Sequence, residues 1–180
     1  MYNNFFNELD LNNTFRKLWE QHIFWTRSFI ISNVLGLKDL EFVTQRLLRN
    51  PKDFAEVLKK FYGINNASKF QKLLEEHLLI AADLVNSAKQ GDTAAATEIE
   101  KKWYRNADDI ANLLASLNPN WNAQQWRSLM YDHLKMVKQE AVDTITSQFD
   151  HSVNAFDDME QNALSMADFL SSGIIKQFNI

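Results

Sequence analysis

The stretch "FRKLWEQH" at residues 15–22 is written again as "FQKLLEEH" at 70–77 and, more faintly, as "WRSLMYDH" at 126–133. Each copy ends on histidine. His22 to His77 is a step of 55 residues, and His77 to His133 a step of 56. A second phrase keeps the period: "RNPKDFAEVL" at 49–58, "RNADDIANLL" at 105–114 and "QNALSMADFL" at 161–170, two steps of 56. A fixed period of this length marks a repeated supersecondary unit. The units run about 11–63, 66–119 and 122–178.

Within both phrases apolar residues recur three and four apart, the spacing of an amphipathic helix. Leu18, Trp25 and Phe29 surround His22, and Leu74, Ala81 and Leu84 surround His77; Phe54 and Val57 follow Asn50, Ile110 and Leu113 follow Asn106, and Met166 and Phe169 follow Asn162. Turn signals stand midway between the phrases at Gly36, Gly91 and Ser147. Each unit is therefore predicted to be an antiparallel αα-hairpin in which the histidine is level with an asparagine of the returning helix. The joints "YGINNAS" and "NPNWNAQ" are short, with Asn66 and Asn122 as predicted N-caps. Short joints favour adjacent packing. The expected fold is all-α, a six-helix bundle of three tandem αα-hairpins of about 56 residues, forming a single helical domain over 1–180 with helices of about 22 to 26 residues.

Composition agrees with this and narrows function. Hydrophobic residues at 46% imply a packed core, and only 4 Gly and 2 Pro leave little punctuation for a many-stranded fold. A net charge of -4 without a long basic run gives no electrostatic footprint for a nucleic-acid backbone, so nucleic acid is not expected as a partner. With 0 Cys there is no disulfide framework, thiolate nucleophile or thiolate metal site. The start "MYNNFFNELD" lacks the pattern of a secretory signal, and no apolar run reaches the ~18 residues of a membrane span. A cytoplasmic location without a membrane span is expected.

The runs "LWEQHIFWTRSFIIS" and "KKWYRNADDIANLLASLNP" resemble those of a family of uncharacterised bacterial all-helical proteins, and the likeness extends along most of the chain. Members of that family sometimes carry an acetylglutamate kinase label. The resemblance implies a helical fold and supplies no site residues. The kinase label finds no support here, because an amino-acid kinase needs glycine-rich phosphate loops at strand ends.

The chemistry-bearing candidates are His22, His77 and His133, one per unit and all on an apolar seam. Two readings follow. In the first, each imidazole pairs with the level asparagine, Asn50, Asn106 or Asn162, exchanging a donor for an acceptor and fixing helix register. In the second, the three imidazoles converge and bind a divalent metal, Zn²⁺ or Fe²⁺. Glu20, Glu76 and Glu160, or Asp83 and Asp168, are the carboxylates available to join them. The ferritin-like Glu-x-x-His pattern is absent, since glutamate stands one or two residues before the histidine.

A cap is the competing role for Asn50, and Pro51 is expected to kink its helix and free the carbonyl of Leu47 for a histidine proton. Glu140 is a predicted buried carboxylate partnered by Arg27 or Arg105, and Trp19, Trp25, Trp103 and Phe29 are predicted core. His151 is expected to be solvated in a turn. No Ser lies in a strand-turn-helix elbow, so a serine hydrolase is unsupported. The apolar ends "MYNNFF" and "IIKQFNI" offer cover for one another, or a contact for a homodimer or protein partner.

The leading expectation is a non-enzymatic helical bundle with an interaction or structural role. The alternative is a metal-binding bundle, extending to an oxidoreductase.

Overall fold

In the computed structural model, residues 7–180 are described, and all regular structure among them is helical. Six helices follow in order: α1 (Glu8–Leu35), α2 (Leu40–Leu48), α3 (Asn50–Lys89), α4 (Thr93–Leu117), α5 (Ala123–Ile145) and α6 (Phe149–Phe178). The chain reverses at Gly36, Gly91 and Ser147, each with positive φ, at the three places where the sequence puts a turn. Side-chain caps start three of the helices. Asn7 accepts from Asp10 N, Asp92 from Ala95 N and Asn122 from Gln125 N, each satisfying an otherwise orphaned first-turn amide.

Two expectations about the first half of the chain need correction. The segment returning from Gly36 is not one helix. It breaks after Leu48, and Pro51 lies in the first turn of α3, where its missing N–H costs no hydrogen bond. The second correction concerns the joint at 62–68, which shrinks to a single non-helical residue, Gly63 (φ 75, ψ 167), inside α3. Only glycine enters that backbone region without strain. Helix resumes at Ile64, so Asn66 is no N-cap; its amide donates to the carbonyl of Tyr62 instead.

The apolar seams meet in one continuous core. Phe15, Phe54 and Phe70 pack ring against ring at 6.2 and 6.0 Å, and Trp19 meets Phe54 edge-on at 5.3 Å. Helix α1 packs against α2, α3, α5 and α6, while α4 packs against α3 and α5. Trp103 and Phe29 are buried as expected, and Trp25 is partly covered, with the Arg46 guanidinium 5.2 Å over its ring. One end is closed by a polar chain in which Asn118 donates to Tyr62 Oη, Tyr62 donates to Gln177 Oε1, and Gln177 donates to Leu117 O. At the C-terminus Phe178 packs on Phe61 and Tyr62, at 5.2 and 5.7 Å. The segment "MYNNFF" lies outside the described residues, and with it the expected contact between the two chain ends.

Gly173 is required for a different reason from Gly63. The Trp121 indole lies across α6 there, and a Cβ on residue 173 would stand 2.0 Å from its Nε1. Trp121 is buried and donates that N–H to Phe169 O at 3.2 Å, so it has little room to withdraw. Gly173→Ala is expected to destabilise the fold by about 1–3 kcal/mol through overpacking, despite the better helix propensity of alanine. Urea denaturation of the variant checks this; an unchanged or raised midpoint would contradict the close approach.

Candidate metal centre

His22 lies in α1, His77 in α3 and His133 in α5, and each is 1% exposed. The three seams face one another, so the imidazoles form one layer across the bundle. Ring centroids stand 5.4 Å apart for His22 and His133, 6.1 Å for His77 and His133, and 6.3 Å for His22 and His77. One ligating nitrogen from each residue lies within 4.8 Å of the other two. Trp19 packs edge-to-face with His22 at 5.3 Å and with His133 at 6.3 Å, and Trp103 packs against His77 at 5.2 Å.

The asparagines set the chemistry of this layer. Asn50 and Asn106 donate their amide N–H to the carbonyls of Leu18 and Leu73, each four residues before the histidine on the neighbouring helix, at 3.0 Å. That bond turns the amide oxygen toward the ring, where His22 Nδ1 lies 3.0 Å from Asn50 Oδ1 and His77 Nδ1 lies 3.1 Å from Asn106 Oδ1. An amide oxygen only accepts, so Nδ1 must carry the proton. Nε2 then keeps its lone pair, the form in which histidine binds a metal.

The third position departs from this pattern. Asn162 donates to Leu129 O at a looser 3.3 Å, again four residues before the histidine. His133 Nδ1 and Asn162 Oδ1 are both buried without a hydrogen-bond partner among the described residues.

Burial also fixes the protonation state. With desolvation as the main cause, His22 is lowered to about 4 and His77 to about 3, the latter helped by the neighbouring His22; the Asn hydrogen bonds oppose both shifts. His133 is lowered well below its ordinary value by desolvation and by the other two imidazoles. All three are neutral near pH 7, as ligands must be.

None of the expected carboxylates joins the layer. Glu20, Glu76, Asp83 and Glu160 are exposed, and Asp168 is held by Arg16 at 2.7 Å. Glu140 is buried and paired as expected, with Arg27 at 2.5 Å and with Ser152 donating at 3.1 Å, but this cluster is separate. His151 is exposed as expected but stands in the first turn of α6, where its Nδ1 lies 2.6 Å from Asp143 Oδ2, which raises its pKa. The Leu47 carbonyl is not the histidine acceptor; Asn50 takes that role.

Two spaces lie among the residues that follow the histidines along α3 and α5, and no histidine lines either of them. A void of about 10 Å³ is bounded by Thr26, Ala81 and Val137, among others. An apolar cavity of about 200 Å³ between α3, α4 and α5 shares Ala81, Val85 and Val137 with it and reaches Trp103. The repeated phrase pointed to the three histidines and their asparagines; Thr26 stands at the position that Ala81 and Val137 hold in the other two copies, so the repeat gave it no signal. Comparison with family models, curated proteins and solved structures finds no match for this chain.

Two outcomes test the site without metal. His77→Leu should cost about 1–3 kcal/mol by leaving Asn106 Oδ1 unpaired, and replacing both residues with apolar ones of similar size should recover much of it. Strictly additive losses in a double-mutant cycle would mean that the pair does not interact. The second outcome concerns pH. Because the folded pKa values lie below the unfolded ~6.5, the contribution of the histidines is present in full above pH ~6.5 and lost as pH falls toward 4 and then 3. Each histidine adds at most about 1.4 kcal/mol per pH unit in that window. His151, with a raised pKa, works in the opposite sense. Urea midpoints of the metal-free protein between pH 7 and 4 should fall steeply, and His133→Leu should flatten the slope by roughly a third.

Proposed function

We propose that this protein binds one divalent transition-metal ion through His22, His77 and His133, with Zn²⁺ the best match. The observation that carries this reading is the gathering of three neutral imidazoles, one nitrogen from each within 4.8 Å of the other two. At Zn–N distances of about 2.0–2.1 Å, tetrahedral ligand nitrogens stand roughly 3.3 Å apart, so side-chain adjustments of about an ångström close the set. The two asparagine bonds support it further, since a second-shell acceptor on Nδ1 is the usual device for presenting Nε2 to a metal. An all-imidazole set suits Zn²⁺. The two-histidine, one-carboxylate set of non-haem iron oxygenases would need a carboxylate, and the candidates are exposed or paired elsewhere. The ion would tie α1, α3 and α5 together at the level of the layer.

On this reading the chain is three tandem hairpins, each bringing one histidine and one asparagine to a common level. The recurrence of the amide-to-carbonyl bond, always to the residue four before the histidine, supports that organisation. A second reading, a non-enzymatic bundle with an interaction or structural role, draws on the same two histidine-asparagine bonds as register locks. Exposed apolar side chains such as Phe24, Phe42 and Ile64 would then serve a protein partner or a second copy.

Elemental analysis of the purified chain separates the two readings. About one equivalent of metal per chain is expected, with a strong chelator at constant pH 7 lowering the melting temperature and Zn²⁺ restoring it. Free metal at a hundred times its Kd contributes about 2.7 kcal/mol. No bound metal, together with a melting temperature indifferent to chelator and to added Zn²⁺, favours the second reading.

A further inference from the structure

We propose that the cavity between α3, α4 and α5 is a binding site for an uncharged, single-ring aromatic molecule of about the size of toluene. The proposal goes beyond the metal reading and does not depend on it, because no histidine lines this space. The cavity measures about 200 Å³, and its floor is built from buried Ala81, Leu84, Val85, Trp103, Val137 and Ala141. Apart from the Trp103 indole N–H, none of these side chains carries a polar group. An apolar cavity of roughly 150 Å³ stays dry and takes benzene, so this one has room for a ring with one or two further carbons. It falls below the roughly 300–1,000 Å³ of sites for drug-sized ligands. Trp103 supplies an aromatic wall on which a ring can stack or pack edge-on.

The space exists because small side chains meet there from three helices. Ala81 and Ala88 come from α3, Ala96 from α4 and Ala141 from α5. Leu40, which stands 56 residues before Ala96, packs against the core, so a leucine suits the corresponding place on α2. Voids larger than a water molecule are few in folded proteins, and the atoms lining one forgo dispersion contacts. A ligand of matching shape supplies those contacts.

The rim decides the charge of that ligand. Exposed Thr93, Thr97 and Lys138, together with Glu100, line the outer part of the cavity. Lys138 donates to both oxygens of Glu100, at 2.8 and 2.7 Å, so the two charged residues of the lining neutralise each other. A carboxylate ligand would have to take Lys138 from Glu100, and an ammonium ligand Glu100 from Lys138. Either exchange leaves a charge without its partner at the mouth of an apolar space. An uncharged ring leaves the pair intact.

Toluene, added to the full chain, is the probe, with benzoate and benzylammonium as charged comparators of similar shape. Toluene is expected to raise the melting temperature with a saturable dependence on concentration, and the two ions to bind at least about tenfold more weakly. Iodobenzene, an uncharged ring carrying a heavy-atom quencher, should quench a component of the tryptophan emission that Trp103→Phe removes, since Trp103 is the one indole of the lining. Ala96→Leu should abolish the toluene effect in a chain that still melts cooperatively, whereas Ala94→Leu, at an exposed position of the same helix, should preserve it. If Ala96→Leu does not fold, the quenching assigned to Trp103 decides the location instead. A melting temperature indifferent to toluene, a toluene effect that survives Ala96→Leu, or quenching that survives Trp103→Phe overturns the site. Benzoate or benzylammonium binding as tightly as toluene overturns the proposed ligand class.

Discussion

A side-chain amide bridging two helices is the constraint on which the centre of this protein depends. Asn50 and Asn106 each spend their nitrogen on a main-chain carbonyl of the neighbouring helix and their oxygen on the imidazole one turn further along it. Both groups of the bridge are buried. Sliding either helix by one turn, about 5.4 Å, would leave an amide, an imidazole nitrogen and their partners without hydrogen bonds, a loss of several kcal/mol against apolar contacts that would survive such a slip. Apolar packing supplies most of the adhesion, and the bridge selects the register. The same bridge selects the tautomer, and the tautomer decides what the inner face of the histidine layer can do.

Three imidazoles at the centre of an apolar bundle are not a neutral choice for stability. Each removes a polar ring from water, and together they disfavour protonation of one another, as the shifts of His77 and His133 record. Leucine at the three positions would pack the seam without that cost. Two asparagine bonds recover part of it, and Trp19 and Trp103 pack against His22 and His77. A binding role for the nitrogens that the asparagines leave unused gives the arrangement a use that register alone does not require.

Much of this was legible in the sequence, for an identifiable reason. The period of 55 to 56 residues and the three-and-four spacing of apolar residues depend on which side chains face inward, and that is a property of helices read one at a time. Turns at Gly36, Gly91 and Ser147, the cap at Asn122, and the pairs of His22 with Asn50, His77 with Asn106 and Arg27 with Glu140 all follow from such a reading. The failures were of two kinds. Local backbone detail went wrong around Pro51 and Gly63, where a short polar stretch looked like a loop and the chain needed only one non-helical residue. The other kind is three-dimensional. Convergence of the histidines is only one of two readings that the sequence leaves open, and the exposure of every glutamate beside them, the unpartnered Thr26 hydroxyl and the approach of Trp121 to Gly173 likewise depend on how helices rotate about their axes, an angle that no single-helix pattern encodes.

The departures from regularity in the histidine layer are informative in the same way. On either side of it equivalent positions differ: Trp19, Leu74 and Met130 stand three residues before the histidines, and Thr26, Ala81 and Val137 four residues after. Within the layer the irregular member is His133, whose Nδ1 is not bonded to Asn162. His22 and His77 are latched by their asparagines and can shift toward the axis only by stretching those bonds. His133 is not latched. On the proposed metal reading, the contraction to the spacing of a bound set would therefore fall most easily on His133, because a ring that moves to meet an ion is the one that a preformed hydrogen bond would hinder.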